Sequence, residues 1–379
     1  MQLAMTETGQ TTLLGLSLSE LSLVVEQFGQ PQYRAQQLFE AIYGQRIVST
    51  ESISVLPQDF RQSLAGRGYT VGLPSIAKKF VSSDGTVRYL MVLGDGQSVE
   101  TVWMPEGDGG EAGDGSEAGL EVGSSAKWKR ATICISSQVG CAVDCQFCLT
   151  ALLGVKRNLN AGEIVGQVCA VLNDQRASPP DDRVNLVFMG MGEPFLNYEN
   201  FMKSVKLLLE GVKIPESRMT VSTAGIVPRI YDFGLEPQRP KLAISLNASN
   251  DELRSRLMPL NRKWNLEALI AAARAFPLRN REKLTFEYVL LHEVNDSPED
   301  AREVVELVRG MKVKVNLIAL NPGPGIAFQT PGEMRVEEFQ KILLAAGVPT
   351  FVRRPRGRDI YAACGQLKRT VEADAQAIA

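Results

Sequence analysis

Three cysteines close together in the chain form the pattern best suited to chemistry. Cys141, Cys145 and Cys148 have the spacing C-x3-C-x2-C, and Cys134 lies seven residues upstream. Three thiolates on one tight loop can hold three irons of a [4Fe–4S] cluster and leave the fourth iron open to an outside ligand. A zinc site that recruits Cys134 is the alternative, although zinc sites usually have two CxxC-type pairs. The spacing favours an iron–sulfur cluster with an open coordination position.

Strands and helices alternate around this motif. Six strand-like apolar runs lie at 131–135, 184–189, 219–222, 241–246, 284–291 and 313–320. Helical segments follow them, including one capped by Asn160 and Glu163 and one that begins at Ser297 with Pro298. This alternation predicts a parallel sheet covered by helices. In such folds the chemistry lies at the carboxyl ends of the strands, and six units favour a partial barrel over a closed eight-fold one.

The first part of the chain has a different pattern. Three helices are predicted there, at about 18–28, 31–43 and 57–64. After the helices, apolar residues recur at every second position, as in strands, and the Asp-Gly pairs at 84–85 and 95–96 predict antiparallel hairpins. We therefore expect a small N-terminal helical module with a short sheet over residues 1–105.

Charge is distributed unevenly along the chain. The net charge is −2, but residues 106–126 hold six acids, seven glycines and no base, so the remainder is net positive. This segment cannot bury enough apolar surface to order itself, which predicts a disordered loop. Basic clusters occur at 127–130, 156–157 and 353–358. Because local patches rather than net charge attract phosphates, RNA or nucleotide binding stays open.

Composition excludes several classes of protein. The 379 residues are 44% hydrophobic and 22% charged, which excludes a disordered, collagenous or coiled-coil chain. No apolar run approaches the roughly 20 residues of a membrane span, and the first residues lack an export signal. Six cysteines, four of them clustered, suit metal ligands or catalytic thiols better than disulfides. We expect a cytoplasmic protein with no membrane partner, a core over 127–358 and a C-terminal tail over 359–379.

The cysteine motif resembles the cluster loop of the radical S-adenosylmethionine (SAM) superfamily in its spacing and its place after a first strand. Motifs along nearly the whole chain outside 106–126 resemble RlmN/Cfr-type RNA adenine methyltransferases. They include VETVWMP (99–105), CISSQVGCAVDCQFC (134–148), VFMGMGEPFLN (187–197), LAISLNASND (242–251), FEYVLLHEVNDS (286–297), VNLIALNPGPG (315–325) and AACGQL (362–367). The resemblance implies an α/β fold, a partial (βα)6 radical-SAM barrel with a small N-terminal helical module and a short β-sheet extension. It also implies one [4Fe–4S] cluster and two SAM molecules per turnover.

The resemblance further implies which residues hold the cofactors. The implied cluster ligands are Cys141, Cys145 and Cys148. The implied SAM contacts are Gly192, Glu193, Ser222, Ser245, Leu246, Asn247 and Asn321. Glu193 can accept hydrogen bonds from the ammonium group of SAM, and glycine lets the backbone approach the cofactor. Asn247 stands where many relatives have His, and an asparagine can still hydrogen-bond a ribose or a carboxylate.

Two further cysteines are implied to carry the methyl group. Cys364 takes a methyl group from one SAM, and the radical from a second SAM activates that methyl group. The activated carbon adds to C2 of adenine, a ring position that is not nucleophilic. Cys134 then resolves the covalent protein–RNA adduct, which leaves a Cys134–Cys364 disulfide. Glu100 matches the proton acceptor proposed for the family. Whether Glu100 or Cys134 takes the C2 proton stays open.

The implied activity is methylation of adenine C2 in 23S rRNA, at the peptidyl-transferase centre, and in tRNA, at the adenine 3′ of the anticodon. Two alternatives stay open: C8 methylation of the same rRNA adenine, and a zinc-stapled RNA-binding module without chemistry. The basic segment Arg353–Arg358 is expected to contact RNA phosphates. An electron donor such as a flavodoxin or ferredoxin and a monomeric state are also expected.

Overall fold

The computed structural model describes residues 11–105, 130–363 and 365–367. The loop predicted to be disordered, 106–126, and the predicted methyl carrier Cys364 lie outside the described residues. None of the helices in the described ranges combines the length and the apolar character needed to cross a bilayer.

Strands occur along the whole described chain. They are β1 (Thr11–Thr12), β2 (Tyr69–Thr70), β3 (Ser75–Val81), β4 (Val87–Val92), β5 (Ser98–Pro105), β6 (Ala131–Cys134), β7 (Gln138–Gly140), β8 (Val155–Asn158), β9 (Val184–Phe188), β10 (Met219–Thr223), β11 (Lys241–Ser245), β12 (Leu284–Leu290), β13 (Val313–Ala319) and β14 (Thr350–Arg353). All six strands predicted after residue 130 are present, as β6 and β9 to β13.

Helices follow most of these strands. They are α1 (Leu18–Gln27), α2 (Tyr33–Phe39), α3 (Gln58–Gly66), α4 (Ala161–Gln175), α5 (Tyr198–Glu210), α6 (Val227–Leu235), α7 (Asp251–Leu257), α8 (Leu266–Ala275), α9 (Pro298–Val308) and α10 (Glu333–Ala345). The predicted capping boxes are present at Asn160 and Ser297, where the side chain accepts a hydrogen bond from the third helical residue. The predicted second helix ends earlier than expected and continues as one π-helical turn, Glu40–Gly44.

One ten-stranded sheet forms the centre of the molecule, in the order β14-β13-β12-β11-β10-β9-β6-β5-β4-β3. Neighbours from β14 to β6 are parallel, whereas those from β6 to β3 are antiparallel. Val102 of β5 pairs with Cys134 of β6, so the N-terminal hairpins extend the parallel sheet directly. The parallel part has one strand more than predicted, because β14 joins its edge.

Buried helix faces explain why the sheet is covered. Ile164, Val168 and Leu172 of α4 are fully buried, as their spacing predicts for one helical face. They belong to a hydrophobic core that also includes Val24 of α1 and Phe339 of α10. The helical module and the parallel sheet therefore share one core.

The segment after β14 is held at two places. Gly357 N donates to Asp84 Oδ2 at 3.0 Å, and Ser82 Oγ donates to Asp359 Oδ1 at 2.5 Å. Asp84 and Ser82 lie in the turn between β3 and β4. Further on, Leu149 N donates to Gly365 O at 2.8 Å. The residues on both sides of position 364 are thus anchored against the hairpin turn and the cysteine loop.

Candidate active site

A cavity lies at the carboxyl ends of the parallel strands, where the chemistry was predicted. We call it the loop cavity, because the three cysteines of the loop at 141–148 line it. Its other lining residues include Phe147, Gly192, Glu193, Ser222, Ser245, Asn247, Glu287 and Asn321. The structure therefore brings together the three predicted cluster ligands and six of the seven predicted SAM contacts.

Backbone hydrogen bonds hold the cysteine loop on several sides. Cys141 N donates to Gly154 O at 3.0 Å, and Gln146 N donates to Leu257 O at 3.0 Å. Within the loop, Cys148 N donates to Cys145 O at 3.1 Å. The loop thus has a defined conformation that presents its thiols to one cavity.

The thiols are chemically suited to iron–sulfur binding. Burial raises the pKa of Cys141 to about 12 and also raises that of Cys145, with further contributions from the neighbouring thiols. Thiolates in such a place need bound cations to stabilise them. Val143 N lies 3.4 Å from Cys141 Sγ and donates to it, which is the kind of contact that stabilises a bound thiolate.

The described cysteines do not surround a single point. Among the described residues, which include Cys134 and all three loop cysteines, no three His, Cys, Asp or Glu side chains converge on a point where one metal ion would sit. A zinc ion requires that convergence, because all its ligands bind one centre. A [4Fe–4S] cluster does not require it, because each thiolate binds a different iron. The donor set therefore fits the cluster.

Glu193 is held by the backbone at the edge of the loop cavity. Its Oε2 accepts from Ala224 N at 2.7 Å, and its Oε1 accepts from Phe195 N at 3.0 Å. Burial raises the pKa of Glu193 to about 7. The preceding Gly192 has φ +101°, and an added Cβ would lie 2.6 Å from Gln138 Cβ, so only glycine fits this close approach.

Two predicted serines meet a carboxylate that the sequence analysis did not single out. Ser222 Oγ lies 3.3 Å from Ser245 Oγ and donates to Glu287 Oε2 at 3.3 Å. Burial raises the pKa of Glu287, and hydrogen bonds from Ser222 and Asn316 oppose that effect. The signal in the sequence was an acid at the centre of the apolar run 284–291, in a strand covered on both faces.

The remaining predicted SAM contacts differ in their placement. Asn321 lines the cavity, whereas the side chain of Leu246 is fully buried in the hydrophobic core and lines no described part of it. Asn247 has φ +58°, a left-handed conformation that asparagine tolerates, and its Oδ1 accepts from Val289 N at 2.9 Å. Its amide thereby ties the end of β11 to β12.

A second cavity adjoins the first. We call it the tail cavity, because it is lined by Ala363 and Gly365, the two neighbours of Cys364, together with Cys134 and Cys148. The residues shared by both cavities include Cys148, Gly190, Glu287 and Asn321. Cys134, at the end of β6, is 8% exposed. The predicted resolving thiol therefore faces the same space as the residues flanking the predicted methyl carrier.

Glu100 lies near this space but does not line it. It shares a face of β5 with Met104, which lines the tail cavity, since alternate strand residues face the same side. Its Oε1 lies 2.7 Å from Arg88 Nη1, and both side chains are buried. The structure thus places the predicted proton acceptor in a buried ion pair, and its catalytic role stays a prediction.

Gln138 and Arg254 position the site and were missed in the sequence analysis. Gln138 Oε1 accepts from Glu193 N at 2.9 Å and from Ala142 N at 3.3 Å, which joins the cysteine loop to the segment 190–194 after β9. Arg254 of α7 is fully buried. Neither residue has a pattern in the sequence that distinguishes it from an ordinary surface residue.

Comparison with known proteins agrees with this site. The Radical SAM superfamily matches residues 135–308. The probable dual-specificity RNA methyltransferase RlmN of Koribacter versatilis is 64% identical, over 91% of this chain and 98% of its own length. The dual-specificity RNA methyltransferase RlmN 2 of Myxococcus xanthus is 43% identical, over 95% of this chain and 91% of its own length.

A solved structure extends the agreement to the fold. A radical SAM methyltransferase from Sphaerobacter thermophilus covers 94% of this chain and 99% of its own, with 42% identity and a TM-score of 0.84. The predicted α/β radical-SAM fold is therefore confirmed. Radical SAM enzymes use a [4Fe–4S] cluster and SAM, which confirms the predicted cofactors. The chain belongs to the RlmN family of dual-specificity RNA methyltransferases, within the Radical SAM superfamily.

Proposed function

We propose that this protein methylates C2 of adenine in 23S rRNA and in tRNA, with Cys364 as methyl carrier and Cys134 as resolving thiol. The observation that carries the proposal is the tail cavity, because Cys134, Cys148, Ala363 and Gly365 line one space. That space adjoins the loop cavity with the three thiols suited to a cluster. The family supports the RNA substrate, since its members are dual-specificity RNA methyltransferases.

The residues of the loop cavity have binding roles in this proposal. Cys141, Cys145 and Cys148 hold the [4Fe–4S] cluster. When bound, the cluster and SAM supply the methyl group and the radical chemistry that activates it. Glu193 accepts hydrogen bonds from the SAM ammonium group, for which its position beside the three thiols is suited.

Ser222, Ser245 and Asn321 line the same cavity and offer hydroxyl and amide groups to the rest of SAM. Gly192 lets the backbone approach the cofactor closely. Asn247 shapes the rim through its hydrogen bond to Val289 N. Leu246 contributes through its main chain, because its side chain belongs to the core.

The two thiols act in sequence. The Cys364 sulfur takes the methyl group, and that group gives up one hydrogen atom to the SAM-derived radical before its carbon bonds to adenine C2. The adduct then loses the C2 proton and one electron, which the cluster held by the cysteine loop would take back. The Cys134 thiolate attacks the Cys364 sulfur, so that an S–S bond forms while the C–S bond breaks, and the released carbon takes up a proton to become the methyl group on the base. A thiol reductant must then reduce the disulfide before the next cycle. Glu100 or Cys134 takes the C2 proton.

RNA would reach this space along a groove that four arginines and three acidic residues line. Arg353, Arg354, Arg356 and Arg358 line a broad groove beside the tail cavity. The side chain of Arg356 is bound to the end of β5, because its Nη2 donates to Pro105 O at 3.0 Å. Arg354 and Arg358 are exposed. The exposed pair is placed to contact phosphates next to the reacting base. We expect the protein to act as a monomer in the cytoplasm, where its RNA substrates lie, with a flavodoxin- or ferredoxin-type electron donor.

The thiol assignment is tested by trapping the intermediate. Cys134→Ala retains the methyl carrier but lacks the resolving thiol, so RNA should copurify with it as a nuclease-sensitive covalent adduct. Cys364→Ala and the double variant should carry no adduct, although both should keep normal iron and sulfide content. Cys169→Ala, which changes a fully buried core thiol, is the matched control and should turn over normally. Normal turnover by Cys134→Ala, or an adduct without Cys364, would overturn the assignment.

Product analysis tests the position of methylation. Nucleosides from RNA methylated by the wild-type protein should contain 2-methyladenosine, which mass spectrometry with authentic standards distinguishes from 8-methyladenosine. Formation of the C8 isomer alone would replace the proposed activity with the alternative one.

A further inference from the structure

Arg254 is a buried cation whose acceptors are almost all neutral main-chain groups. Its side chain is fully buried in α7. Nη2 donates to Ala224 O at 2.8 Å and to Ser245 O at 3.0 Å, and Nε donates to Leu246 O at 3.0 Å. The fourth hydrogen bond, from Nη1 at 2.9 Å, goes to the side-chain amide oxygen of Asn261. These acceptors satisfy four of the five N–H donors of the guanidinium but bring no negative charge.

Among the described residues no carboxylate lies within ion-pair distance of this guanidinium. The carboxylate of Asp251, on the same helix, is used elsewhere: its Oδ1 accepts from Asn261 Nδ2 at 2.7 Å and from Leu266 N at 2.8 Å. Burying a charge without a charged partner is costly, so such a residue usually has a task. Within the part of the chain that the structure describes, the charge of Arg254 thus has no direct ion-pair partner, and Asp251 attracts it only from a longer distance.

The helix that carries Arg254 packs directly on the cysteine loop. Leu257 O, at the end of α7, accepts from Gln146 N at 3.0 Å, and Leu257 shares a small hydrophobic cluster with Val143 of the loop. Ala224 and Ser245, whose carbonyl oxygens accept from the guanidinium, line the loop cavity together with Cys145. A positive charge is therefore fixed beside the thiols proposed to bind the cluster.

We propose that Arg254 supplies the compensating positive charge for the cluster held by Cys141, Cys145 and Cys148 and so favours its one-electron-reduced state. This inference rests on the proposed cluster site. Reduction adds one electron, taken from an external low-potential donor, to a centre that already has three thiolate ligands. A cation buried nearby lowers the energy of the more negative state, and burial prevents salt from screening it. The hydrogen bonds to Ala224, Ser245 and Leu246 hold the guanidinium in place.

The experiment compares reduction potentials of the full-length, anaerobically reconstituted protein. The variants are Arg254→Gln, which removes the charge, and Arg254→Lys, which keeps it but loses the planar fork. Arg256→Gln is the matched control, because Arg256 lies on the same helix and is exposed. The electron paramagnetic resonance signal of the reduced cluster is titrated against dithionite at controlled potential and normalised to iron content.

At the wild-type midpoint potential, the ratio of reduced to oxidised cluster should fall severalfold in Arg254→Gln. It should stay close to the wild-type ratio in Arg254→Lys and in Arg256→Gln. An unchanged midpoint in Arg254→Gln, or a Lys variant shifted as far as the Gln variant, would overturn the proposal. If Arg254→Gln loads no cluster, Arg254→Met, which also removes the charge but keeps a long unbranched side chain, is titrated in its place. The same severalfold fall is expected, and an unchanged midpoint in Arg254→Met would overturn the proposal.

The result separates this proposal from that of the cluster site. Wild-type protein without stoichiometric iron and sulfide would overturn the cluster assignment itself. If the wild-type cluster is loaded but its reduction potential does not depend on the charge at position 254, only the role of Arg254 is overturned.

Discussion

The buried ion pair between Glu100 and Arg88 permits a quantitative test. Their charged atoms are 2.7 Å apart and both side chains are almost fully buried. The guanidinium carbon of Arg88 also lies 4.2 Å from the ring centroid of Phe80. In Glu100→Gln the arginine keeps its charge but loses the opposite one, and breaking a buried pair in this way costs about 3–5 kcal/mol. The amide oxygen can still accept a hydrogen bond that contributes about 1 kcal/mol, so we expect a net loss of about 2–4 kcal/mol.

Urea unfolding followed by tryptophan fluorescence provides the assay. Trp103 is a suitable reporter, since it lies on the same strand as Glu100 and is buried. The unfolding midpoint should fall while the slope with urea stays constant. The control is the double variant Arg88→Met/Glu100→Leu, which should recover most of the loss because both charges are gone. A single-variant loss below about 0.5 kcal/mol, or a double variant less stable than either single variant, would refute the reasoning.

The same double variant tests the chemistry of Glu100. If this carboxylate takes the C2 proton, the folded double variant should load its cluster and methylate its own carrier cysteine but release no methylated RNA. Normal RNA methylation by the double variant would assign Glu100 a structural role.

Four further substitutions and one control test other parts of the site. Gly192→Ala should weaken SAM binding about tenfold by equilibrium dialysis, because the new Cβ would overlap a neighbouring side chain, as overpacking costs about 1–3 kcal/mol. Gly96→Ala, which also has positive φ but open space around it, should keep wild-type affinity, and equal affinities in the two variants would contradict the steric argument. Arg354→Gln and Arg358→Gln should each lower RNA affinity and reduce the salt slope of binding by about one ion, and an unchanged slope would show that these side chains meet no phosphate. Asp84→Asn should increase amide hydrogen exchange in residues 356–360 severalfold, because it weakens the hydrogen bond from Gly357 N. Partial burial alone would raise the pKa of Asp84, but hydrogen bonds from Gly357 and Thr86 lower it to about 2. The stabilising contribution of the Asp84 carboxylate is therefore fully present above its ordinary pKa of 3.8 and is lost as the pH falls through about 2. The difference in exchange between Asp84→Asn and wild type should be constant from pH 5 to pH 8, and a difference that varies across that range would contradict this assignment.

The sequence contained much of the fold because its strands have a simple pattern. Each strand from β6 to β13 in the parallel sheet is a short run rich in apolar and β-branched residues, and turn residues separate these runs. The strand β14 escaped prediction because it has only four residues, TFVR, and its Phe351 is exposed. Pairing with β13, rather than local pattern, makes these residues a strand.

Side-chain partners across the fold could not be predicted from the sequence. The pairing of Glu100 with Arg88 depends on the register between β4 and β5, and the burial of Arg254 depends on where α7 packs. Glu287 could have been predicted as a site residue, since an acid inside a strand buried on both faces must face a polar interior. The cluster loop was predictable because its three ligands are neighbours in sequence and need no tertiary information.

The contact between the hairpin turn and the segment after β14 has a consequence for the order of folding. Ser82 and Asp359 are 277 residues apart in the chain, and contacts that close such long loops form late because of their entropic cost. During synthesis from the N-terminus, the hairpin and the cysteine loop leave the ribosome well before their C-terminal partners. A nascent chain can therefore form the parallel strands from β6 to β13 and the cysteine loop before residues 356–363 dock. The residues that flank the proposed methyl carrier then reach a framework whose other parallel strands are already in place.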